Sequence, residues 1–382
     1  MVKIDFLKTK LLILKIHPQH LVMILIKVQF LIFLFLHTIF LSGCNSDSLG
    51  EKLYKGNHPY LHYVGRFDYE NPEKPKGWAP GIYCEFEFYG ANCQVEITDE
   101  SYFTNHNYIE VAVDDLPVKR IKLSKKNNVI SVANFKNKGV HHVIVCKSTE
   151  ANIGYISFTG IRCEKLLPFK KKNKGIIEFI GDSMTCGNGA DCKNSDDIQG
   201  DWYEQHAAYQ SYGPVLARKL RMGWVLSSAS GFGLTRSCCG NKKTIPQVYD
   251  YADLSGMQVR YPWHTKRPSI VFICLGQNDG LQKESTYCFD YVSFVKRIKK
   301  KNPKAHIVCL DSPMAKPTLK KHLDECINQS VNILKKTYGN TIHSYFFKKR
   351  YHNGRLQHPN ISEHQQMAQE LESFVKKERL FE

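Results

Sequence analysis

The sequence predicts two domains, an all-β sandwich followed by an α/β domain with a parallel sheet. Its 382 residues are enough for two domains that each bury a core of their own. Residues 46–162 contain short segments of alternating apolar and polar residues separated by turn residues, which is typical of a sandwich. After Lys174 the period changes, and continuous apolar runs alternate with longer amphipathic stretches, as strands and helices do around a parallel sheet.

In the first half, five segments combine period-two alternation with β-branched and aromatic residues, and therefore predict strands. They are residues 82–88, 93–97, 108–113, 141–146 and 155–158. A domain of this kind can bind sugar or can serve only to pack against its neighbour, and the sequence leaves both interpretations open.

In the second half, five apolar runs predict buried strands. They are residues 176–180, 224–230, 270–275, 306–310 and 342–347. The amphipathic stretches between them predict helices over residues 206–220, 286–300, 319–336 and 362–377. A basic stretch with one proline, residues 166–175, is the predicted linker between the domains.

The chain carries a formal net charge of +17 at pH 7. The excess is spread over single lysines and short lysine runs, which favours a solvated lysine-rich surface. Attraction to anionic polymers or to a membrane surface is the alternative interpretation. The charge is accompanied by no nucleic-acid-binding motif, so the sequence predicts no nucleic-acid partner.

An apolar run over residues 21–41 leads through Ser-Gly to Cys44. This pattern resembles a bacterial lipoprotein signal, in which the cysteine becomes the lipid-modified N-terminus. A cleavable signal usually has ~15–30 residues, so the true start is predicted at Met23, with Lys27 as the positive end. The protein is therefore expected to be exported and lipid-anchored to a bacterial membrane. An uncleaved transmembrane anchor is the alternative.

Twelve cysteines follow Cys44, in a compartment that permits disulfides. Several lie inside apolar runs and are predicted to be buried thiols. Two candidate redox pairs are Cys186 with Cys192 and the adjacent Cys238 with Cys239. Their spacing is not that of a zinc site, so no metal is predicted.

One stretch joins a buried strand to a polar, glycine-rich turn. Residues 176–180 are almost entirely apolar, and Gly181, Asp182 and Ser183 follow directly. Ligands bind at the carboxyl edge of an open α/β sheet, where this turn is expected to lie. Ser183 is therefore the candidate nucleophile, although Gly-Asp-Ser is common and also fits an ordinary turn or helix cap.

Further polar stretches occur at corresponding places in the same domain. Gly231 lies after the second predicted strand, Asn278 after the third, and His358 before the last helix. Acyl transfer by a serine needs a base to take its proton and donors to hold the oxyanion. His358 fits the base, and the backbone amides of Ser183 and Gly231 with the Asn278 side chain fit the oxyanion hole. Each residue alone also fits a plain structural role.

The order and spacing of these four blocks resemble the SGNH, or GDSL-type, hydrolase superfamily. The four residues that name the superfamily match Ser183, Gly231, Asn278 and His358. The resemblance implies an α/β/α fold for the second domain, and it implies the nucleophile, oxyanion and base roles for these residues.

The first domain resembles the N-terminal jelly-roll of the family 2 carbohydrate esterases. The segments that carry this likeness are residues 64–68, 77–81, 113–115, 141–143 and 147–150. The predicted domain plan is a lipoprotein signal over residues 1–44, a jelly-roll sandwich over 45–165, the linker over 166–175 and the SGNH hydrolase domain over 176–382.

The sequence departs from the superfamily at one point. The superfamily usually has an Asp two or three residues before the catalytic His, whereas this chain has Leu356 and Arg355 there. That Asp normally orients the imidazole and fixes its tautomer. Some family 2 esterases have a Ser–His dyad with a backbone carbonyl in the place of the Asp, and the chain resembles those. A weakened or inactive relative is the alternative.

The resemblance implies a monomeric enzyme that removes O-acetyl groups from a polysaccharide of the xylan or glucomannan kind through an acetyl-enzyme, without a cofactor. Trp202, Tyr209 and Trp263 lie near the motifs and are candidates for stacking on sugar, with simple packing as the alternative. The same catalytic residues would also suit an esterase of peptidoglycan, capsule or lipid, or a surface lipoprotein that binds polysaccharide with little turnover.

Overall fold

The computed structural model describes residues 50–168, 174–192, 196, 199–261 and 267–381. The predicted lipidation site Cys44 and the candidate aromatic Trp263 lie outside these ranges. From Lys52 onward the chain forms one unit that contains both domains. Among the described helices, none combines the length and the apolar character that crossing a bilayer requires.

Within the described ranges, nine strands build the first domain. They are β1 Lys52–Lys55, β2 His62–Val64, β3 Phe67–Asp68, β4 Lys76–Gly77, β5 Tyr83–Ser101, β6 Tyr108–Val113, β7 Lys119–Lys122, β8 Asn127–Lys147 and β9 Gly154–Leu167. The order across the sheet is β3-β4-β9-β5-β8-β6-β7, and β1 also pairs with β9 and β2 with β5. All these pairs are antiparallel. The prediction of an all-β first domain is confirmed.

The longest strands differ from the sequence prediction. The two strands predicted over residues 82–88 and 93–97 are halves of β5, which continues through Gly90. The register of β5 against β8 shifts between Gly90 and Asn92. A bulge of this kind adds a residue to one strand, bends it and disturbs its period-two pattern. The prediction of two separate strands was wrong for this reason.

In the described part of the second domain, five parallel strands form a sheet in the order β11-β10-β12-β13-β14. They are β10 Ile176–Gly181, β11 Gly223–Ser228, β12 Ile270–Cys274, β13 His306–Leu310 and β14 Ile342–Tyr345. They lie at the five apolar runs of the sequence because strands covered on both faces need apolar side chains at every position. The predicted α/β domain with a parallel sheet is confirmed.

Helices cover both faces of this sheet. They are α1 Ser183–Cys186, α2 Tyr212–Lys219, α3 Ile245–Val248, α4 Glu284–Lys301, α5 Pro317–Tyr338 and α6 Ile361–Lys377. Helix α2 packs on α6, and α4 packs on α5. In β12, Val271 and Ile273 share a core with α4 and α5, whereas Phe272 and Cys274 share a core with α2 and α6. Successive side chains of a strand point to opposite faces, so the two helix pairs lie on opposite sides.

The strand order reverses at β10. Strand β10 lies between β11 and β12. The chain therefore runs from β10 to β11 on one side and then crosses to β12 on the other side of β10. A reversal of this kind opens a crevice at the carboxyl ends of the strands. Ser183 follows β10 within two residues and therefore lies at this crevice.

Arg66 joins the two domains through a fully buried guanidinium. Its Nη2 lies 3.3 Å from Glu178 Oε1 in β10. Its Nε and Nη2 donate to Ser227 Oγ in β11 at 2.9 and 2.8 Å. Its Nη1 donates to the carbonyl oxygens of Tyr249 and Tyr251 at 2.8 and 3.0 Å. A charge can be buried at this position because its donors are satisfied and a carboxylate lies beside it.

We expect Arg66→Ala to lower the free energy of unfolding by about 3–5 kcal/mol, because it leaves the buried Glu178 without its cation. Arg162→Ala is the control. Arg162 contacts Glu96 at 2.7 Å with both side chains partly exposed, and such pairs contribute about 0–1 kcal/mol. Urea unfolding followed by tryptophan fluorescence measures both variants. Equal losses in the two variants would contradict the anchoring role of Arg66.

Candidate active site

Ser183 begins α1 at the end of β10. The Asp182 side chain accepts from Met184 N at 3.2 Å and caps this short helix. The helix ends at Gly187, where φ is 76°. A Cβ there would lie 2.6 Å from the carbonyl oxygen of Ala207, so only glycine fits the turn. The tight strand–helix turn holds the Ser183 hydroxyl at the crevice.

His358 lies directly against this hydroxyl. Its Nε2 is 2.9 Å from Ser183 Oγ, and its Nδ1 is 3.0 Å from the carbonyl oxygen of Arg355. A carbonyl oxygen only accepts hydrogen bonds, so Nδ1 must carry the proton. Nε2 is then the unprotonated nitrogen, which can accept the proton of Ser183. The structure thus brings together the predicted nucleophile and base, with a backbone carbonyl in the place where the superfamily has an Asp.

The turn before His358 has an unusual backbone. Leu356 and Gln357 have φ values of 51° and 61°, in the left-handed region that few residues other than glycine adopt. This conformation directs the Arg355 carbonyl back onto His358, where it accepts from the backbone N at 3.1 Å as well as from the ring. Neither residue is a glycine, so the sequence gives no sign of this turn.

The side chain of Arg355 fixes the other end of the turn. It is 7% exposed, and its Nη1 donates to the Gln199 carbonyl at 2.8 Å and to the Gln205 side chain. Its Nη2 donates to the Gly200 carbonyl at 3.0 Å. The guanidinium therefore points away from the imidazole and into a neighbouring loop, while the backbone of the same residue faces His358.

The predicted oxyanion residues lie on the two strands beside β10. Gly181 pairs with Ser228 and with Cys274, so the loops after β11 and β12 meet the Ser183 turn at one edge. Gly231 has φ of 78° in the first of these loops. In the second, Asn278 Nδ2 donates to the Phe232 carbonyl at 2.9 Å and lies 3.3 Å from Asp182 Oδ2.

Asp279 is a site residue whose role the sequence interpretation missed. Its buried carboxylate accepts from the backbone N of three consecutive residues, Leu234 at 2.9 Å, Thr235 at 2.6 Å and Arg236 at 3.1 Å. A Cβ on Gly233 would lie 2.4 Å from Asp279 Oδ2, so glycine is required there. Asp279 thus holds the loop of Gly231 against that of Asn278. The only sequence signal was an acidic residue directly after Asn278.

Burial controls the charges beside the nucleophile. It lowers the pKa of His358 below its usual value near 6.5, against an opposite effect of the carbonyl bonds to its ring. Burial also raises the pKa of the Asp182 carboxyl to about 8. At neutral pH the imidazole is therefore unprotonated, and Asp182 adds little negative charge next to Ser183.

The candidate sugar-stacking residues differ in exposure. Trp202 is 37% exposed, with its ring edge-on to His206 at 4.9 Å between centroids. Tyr209 is 6% exposed, and the Arg218 guanidinium covers its ring at 3.7 Å. Tyr209 therefore packs inside the protein, while more than a third of Trp202 is exposed to solvent.

Cysteines contact two of the site loops. Cys238 and Cys239 form a disulfide, and Cys238 Sγ lies 3.2 Å from Asn278 Oδ1. Cys186 is a buried thiol whose Sγ is 3.2 Å from Ser228 Oγ. Over the ranges that the structure describes, no group of three or more His, Cys, Asp or Glu side chains is arranged to hold a metal ion.

Two family models match the chain. Residues 63–169 match the carbohydrate esterase 2 N-terminal domain, and residues 179–345 match the GDSL-like lipase/acylhydrolase family. Over 332 residues the chain is 29% identical to the cellulase/esterase CelE of Acetivibrio thermocellus, which covers 84% of the chain but only 40% of that relative. It is 25% identical over 361 residues to an acetylxylan esterase/glucomannan deacetylase of Cellvibrio japonicus, covering 90% of the chain and 97% of the relative.

A solved structure shows the same arrangement. The family two carbohydrate esterase from Clostridium thermocellum, in complex with cellohexaose, matches with a TM-score of 0.77 and 27% identity, over 84% of this chain and 100% of that one. The chain is thus similar to carbohydrate esterases, which are carboxylic ester hydrolases. More particularly, the chain combines a part that matches the carbohydrate esterase 2 N-terminal domain with a part that matches the GDSL-like family, and its fold is similar to that of a family two carbohydrate esterase.

We expect Arg355→Ala to lower kcat/KM for an acetyl ester by about 10²-fold, because misplacing a catalytic group by ~1 Å can cost that much. Arg218→Ala is the control, because its Nη1 donates to the Tyr209 carbonyl at 2.7 Å, away from His358. A parental rate in Arg355→Ala would show that the turn holds without its side chain.

The pH profile of kcat/KM for the parent should show one acid limb with its midpoint below the usual histidine pKa, since His358 acts only when neutral.

Proposed function

We propose that the protein removes O-acetyl groups from a polysaccharide, with Ser183 as nucleophile and His358 as base. The observation that carries this proposal is the hydrogen-bonded chain from Ser183 Oγ through the His358 ring to the Arg355 carbonyl, with distances of 2.9 and 3.0 Å. This series of hydrogen bonds lies at the carboxyl edge of the parallel sheet of a GDSL-type domain, where ligands of open α/β folds bind.

In the first half of the reaction, Ser183 Oγ attacks the acetyl carbonyl carbon while His358 Nε2 takes the hydroxyl proton. The tetrahedral intermediate collapses, the bond to the sugar oxygen breaks, and the proton on Nε2 passes to that oxygen. In the second half, His358 Nε2 takes a proton from water while the water oxygen attacks the acetyl carbon. The bond from that carbon to Ser183 Oγ then breaks, the proton on Nε2 passes to Oγ, and acetic acid leaves and ionises to acetate. Both halves use only the imidazole and the hydroxyl, and no cofactor takes part.

The negative charge of the intermediate needs donors. We assign the backbone amides of Ser183 and Gly231 and the Nδ2 of Asn278 to this role. One Nδ2 hydrogen is held by the Phe232 carbonyl at 2.9 Å, and the other faces Asp182 at the longer distance of 3.3 Å. The second hydrogen is the one available to the oxyanion, because its contact in the free protein is the weaker of the two.

The comparisons support a polysaccharide as the molecule whose hydroxyl groups carry the acetyl esters. One relative is named an acetylxylan esterase/glucomannan deacetylase, and a solved relative is in complex with cellohexaose. We assign Trp202 to the sugar-binding surface, since a partly exposed indole can pack on a pyranose ring. Xylan and glucomannan, the polymers of the named relative, are the substrates to test first.

Ser183→Ala should reduce acetate release to background on 4-nitrophenyl acetate and on every active polymer, because it removes the acyl acceptor. Ser330→Ala is a matched control, as Ser330 is a buried serine on α5 whose Oγ has no hydrogen-bond partner among the described residues. Acetate release is measured on acetylated xylan, glucomannan, pectin and peptidoglycan. Activity of Ser183→Ala near the parental value would refute the site, and release from peptidoglycan alone would refute a substrate of the xylan or glucomannan kind.

We further propose that Cys44 carries a lipid that anchors the protein to a bacterial membrane, as the Ser-Gly-Cys sequence after an apolar run indicates. Metabolic labelling with a fatty-acid analogue should mark the parent chain and should not mark Cys44→Ser, because the thiol is the attachment point. Equal labelling of both would assign the apolar run to an ordinary signal or a transmembrane anchor.

A further inference from the structure

The first domain inserts a buried carboxylate beside the predicted oxyanion loop. Glu150 follows β8 and is 1% exposed. Its Oε2 accepts from the backbone N of Ser230 at 2.7 Å, and its Oε1 accepts from the Ser230 hydroxyl. Ser230 directly precedes Gly231, so a side chain of one domain holds the residue that leads into the oxyanion loop of the other.

Ser230 is held on its remaining sides as well. Its Oγ accepts from Asn188 Nδ2 at 3.0 Å, and its carbonyl lies 3.4 Å from Asn241 Nδ2. Asn188 is in turn bound to the Ser183 carbonyl through its backbone N at 3.0 Å. The network therefore connects Glu150 through Ser230 and Asn188 to the backbone of the nucleophile.

The carboxylate of Glu150 is costly to bury, so its position requires compensation. Burial raises its pKa, and the two donors of Ser230 oppose that effect. Other polar groups around it are also buried. Lys147 Nζ donates to the Glu150 backbone carbonyl at 3.0 Å, and His206 Nε2 lies 3.6 Å from Oε1. Burial keeps His206 neutral by lowering its pKa well below the usual value.

We infer that Glu150 is a positioning residue for the oxyanion hole: it fixes Ser230 so that the amide of Gly231 faces the developing negative charge. This inference rests on the proposed function of Ser183 and Gly231. The peptide unit between Ser230 and Gly231 carries the Gly231 N–H, and its orientation depends on how Ser230 is held. The first domain thereby takes a direct part in the geometry of catalysis.

A second carboxylate provides a matched comparison. Glu110 also lies in the first domain, is 2% exposed and accepts a backbone N–H of the second domain, that of Tyr209 at 2.8 Å. Both residues are buried acids that make an interdomain bond to a main-chain amide. Of the two partners, only that of Glu150 adjoins the oxyanion loop. Comparing changes at Glu150 and at Glu110 therefore distinguishes positioning of the oxyanion hole from packing between the domains.

The experiment compares Glu150→Gln and Glu110→Gln in the full chain. Glutamine keeps the volume but replaces one acceptor oxygen by a donor, so the two donors of Ser230 no longer have an acceptor oxygen each on residue 150. Glu150→Gln should lower kcat about 10- to 10²-fold with KM changed by less than about twofold, as expected when a contact acts in the transition state. Glu110→Gln should keep the parental kcat. Thermal unfolding and circular dichroism check that both variants fold.

Coupling to Ser230 supplies a second test, which is needed if Glu150→Gln does not fold. Ser230→Ala removes the hydroxyl with its bonds to Glu150 and Asn188, keeps the backbone bond to Glu150, and should lower kcat with little change in KM. In the double variant with Glu150→Gln, kcat should fall no further than in the slower single variant, because both changes break one network. A parental kcat in folded Ser230→Ala overturns the inference, and so does a fully multiplicative loss in the double variant.

Failure of the inference can be told apart from failure of the proposed function. A fluorophosphonate probe should label Ser183 in the parent and should not label Ser183→Ala, whatever the state of Glu150. If the probe labels the parent and Glu150→Gln loses no more kcat than Glu110→Gln, Glu150 serves only packing and the inference is wrong. If the probe does not label the parent, the proposed nucleophile itself is wrong.

Discussion

The geometry of the site depends on one hydrogen bond, from His358 Nδ1 to the carbonyl oxygen of Arg355. Because that oxygen can only accept, it determines the tautomer of the ring and leaves Nε2 to accept from Ser183. A carboxylate in the same place would add a negative charge and raise the pKa of the imidazole more strongly. The neutral carbonyl oxygen of Arg355 raises the pKa of His358 less than a carboxylate would, and burial of the ring lowers that pKa. The ring therefore stays in the proton-accepting form to lower pH than an ordinary histidine.

Buried acidic side chains hold the irregular loops at the edge of the sheet. Backbone N–H groups in such loops have no ladder partner, and leaving them buried without an acceptor is costly. Asp182 accepts from the turn of the nucleophile, Asp279 from three consecutive amides, and Glu150 from Ser230. Each acid therefore stabilises a loop conformation. The carbonyl of Arg355 has the corresponding role for His358. A hydrogen-bond acceptor thus holds the loop of Ser183, the loop of Gly231 and the turn of His358.

The parallel sheet could be predicted from the sequence almost residue by residue, because strands buried on both faces leave an unbroken apolar run, as at His306–Leu310. The first domain was predicted only in outline, since the bulge at Gly90 interrupts the alternation on which the strand pattern rests. At the site, the order of the motifs was enough to predict that Ser183 and His358 meet. The turn that directs the Arg355 carbonyl onto His358 could not be predicted, because the left-handed residue Leu356 is not a glycine. The loop that binds the Arg355 guanidinium could not be predicted either, because it lies about 150 residues earlier in the chain.

The position of β11 explains why the first domain is part of the site. Among the described residues, this strand is at the edge of the sheet, where one side of the backbone has no partner strand. The first domain contacts it along its length: Gly81 O accepts from Trp224 Nε1 at 2.8 Å near its start, Arg66 binds Ser227, and Glu150 binds Ser230 just beyond its end. The loop that follows β11 carries Gly231, so these contacts of the first domain end directly before the predicted oxyanion hole.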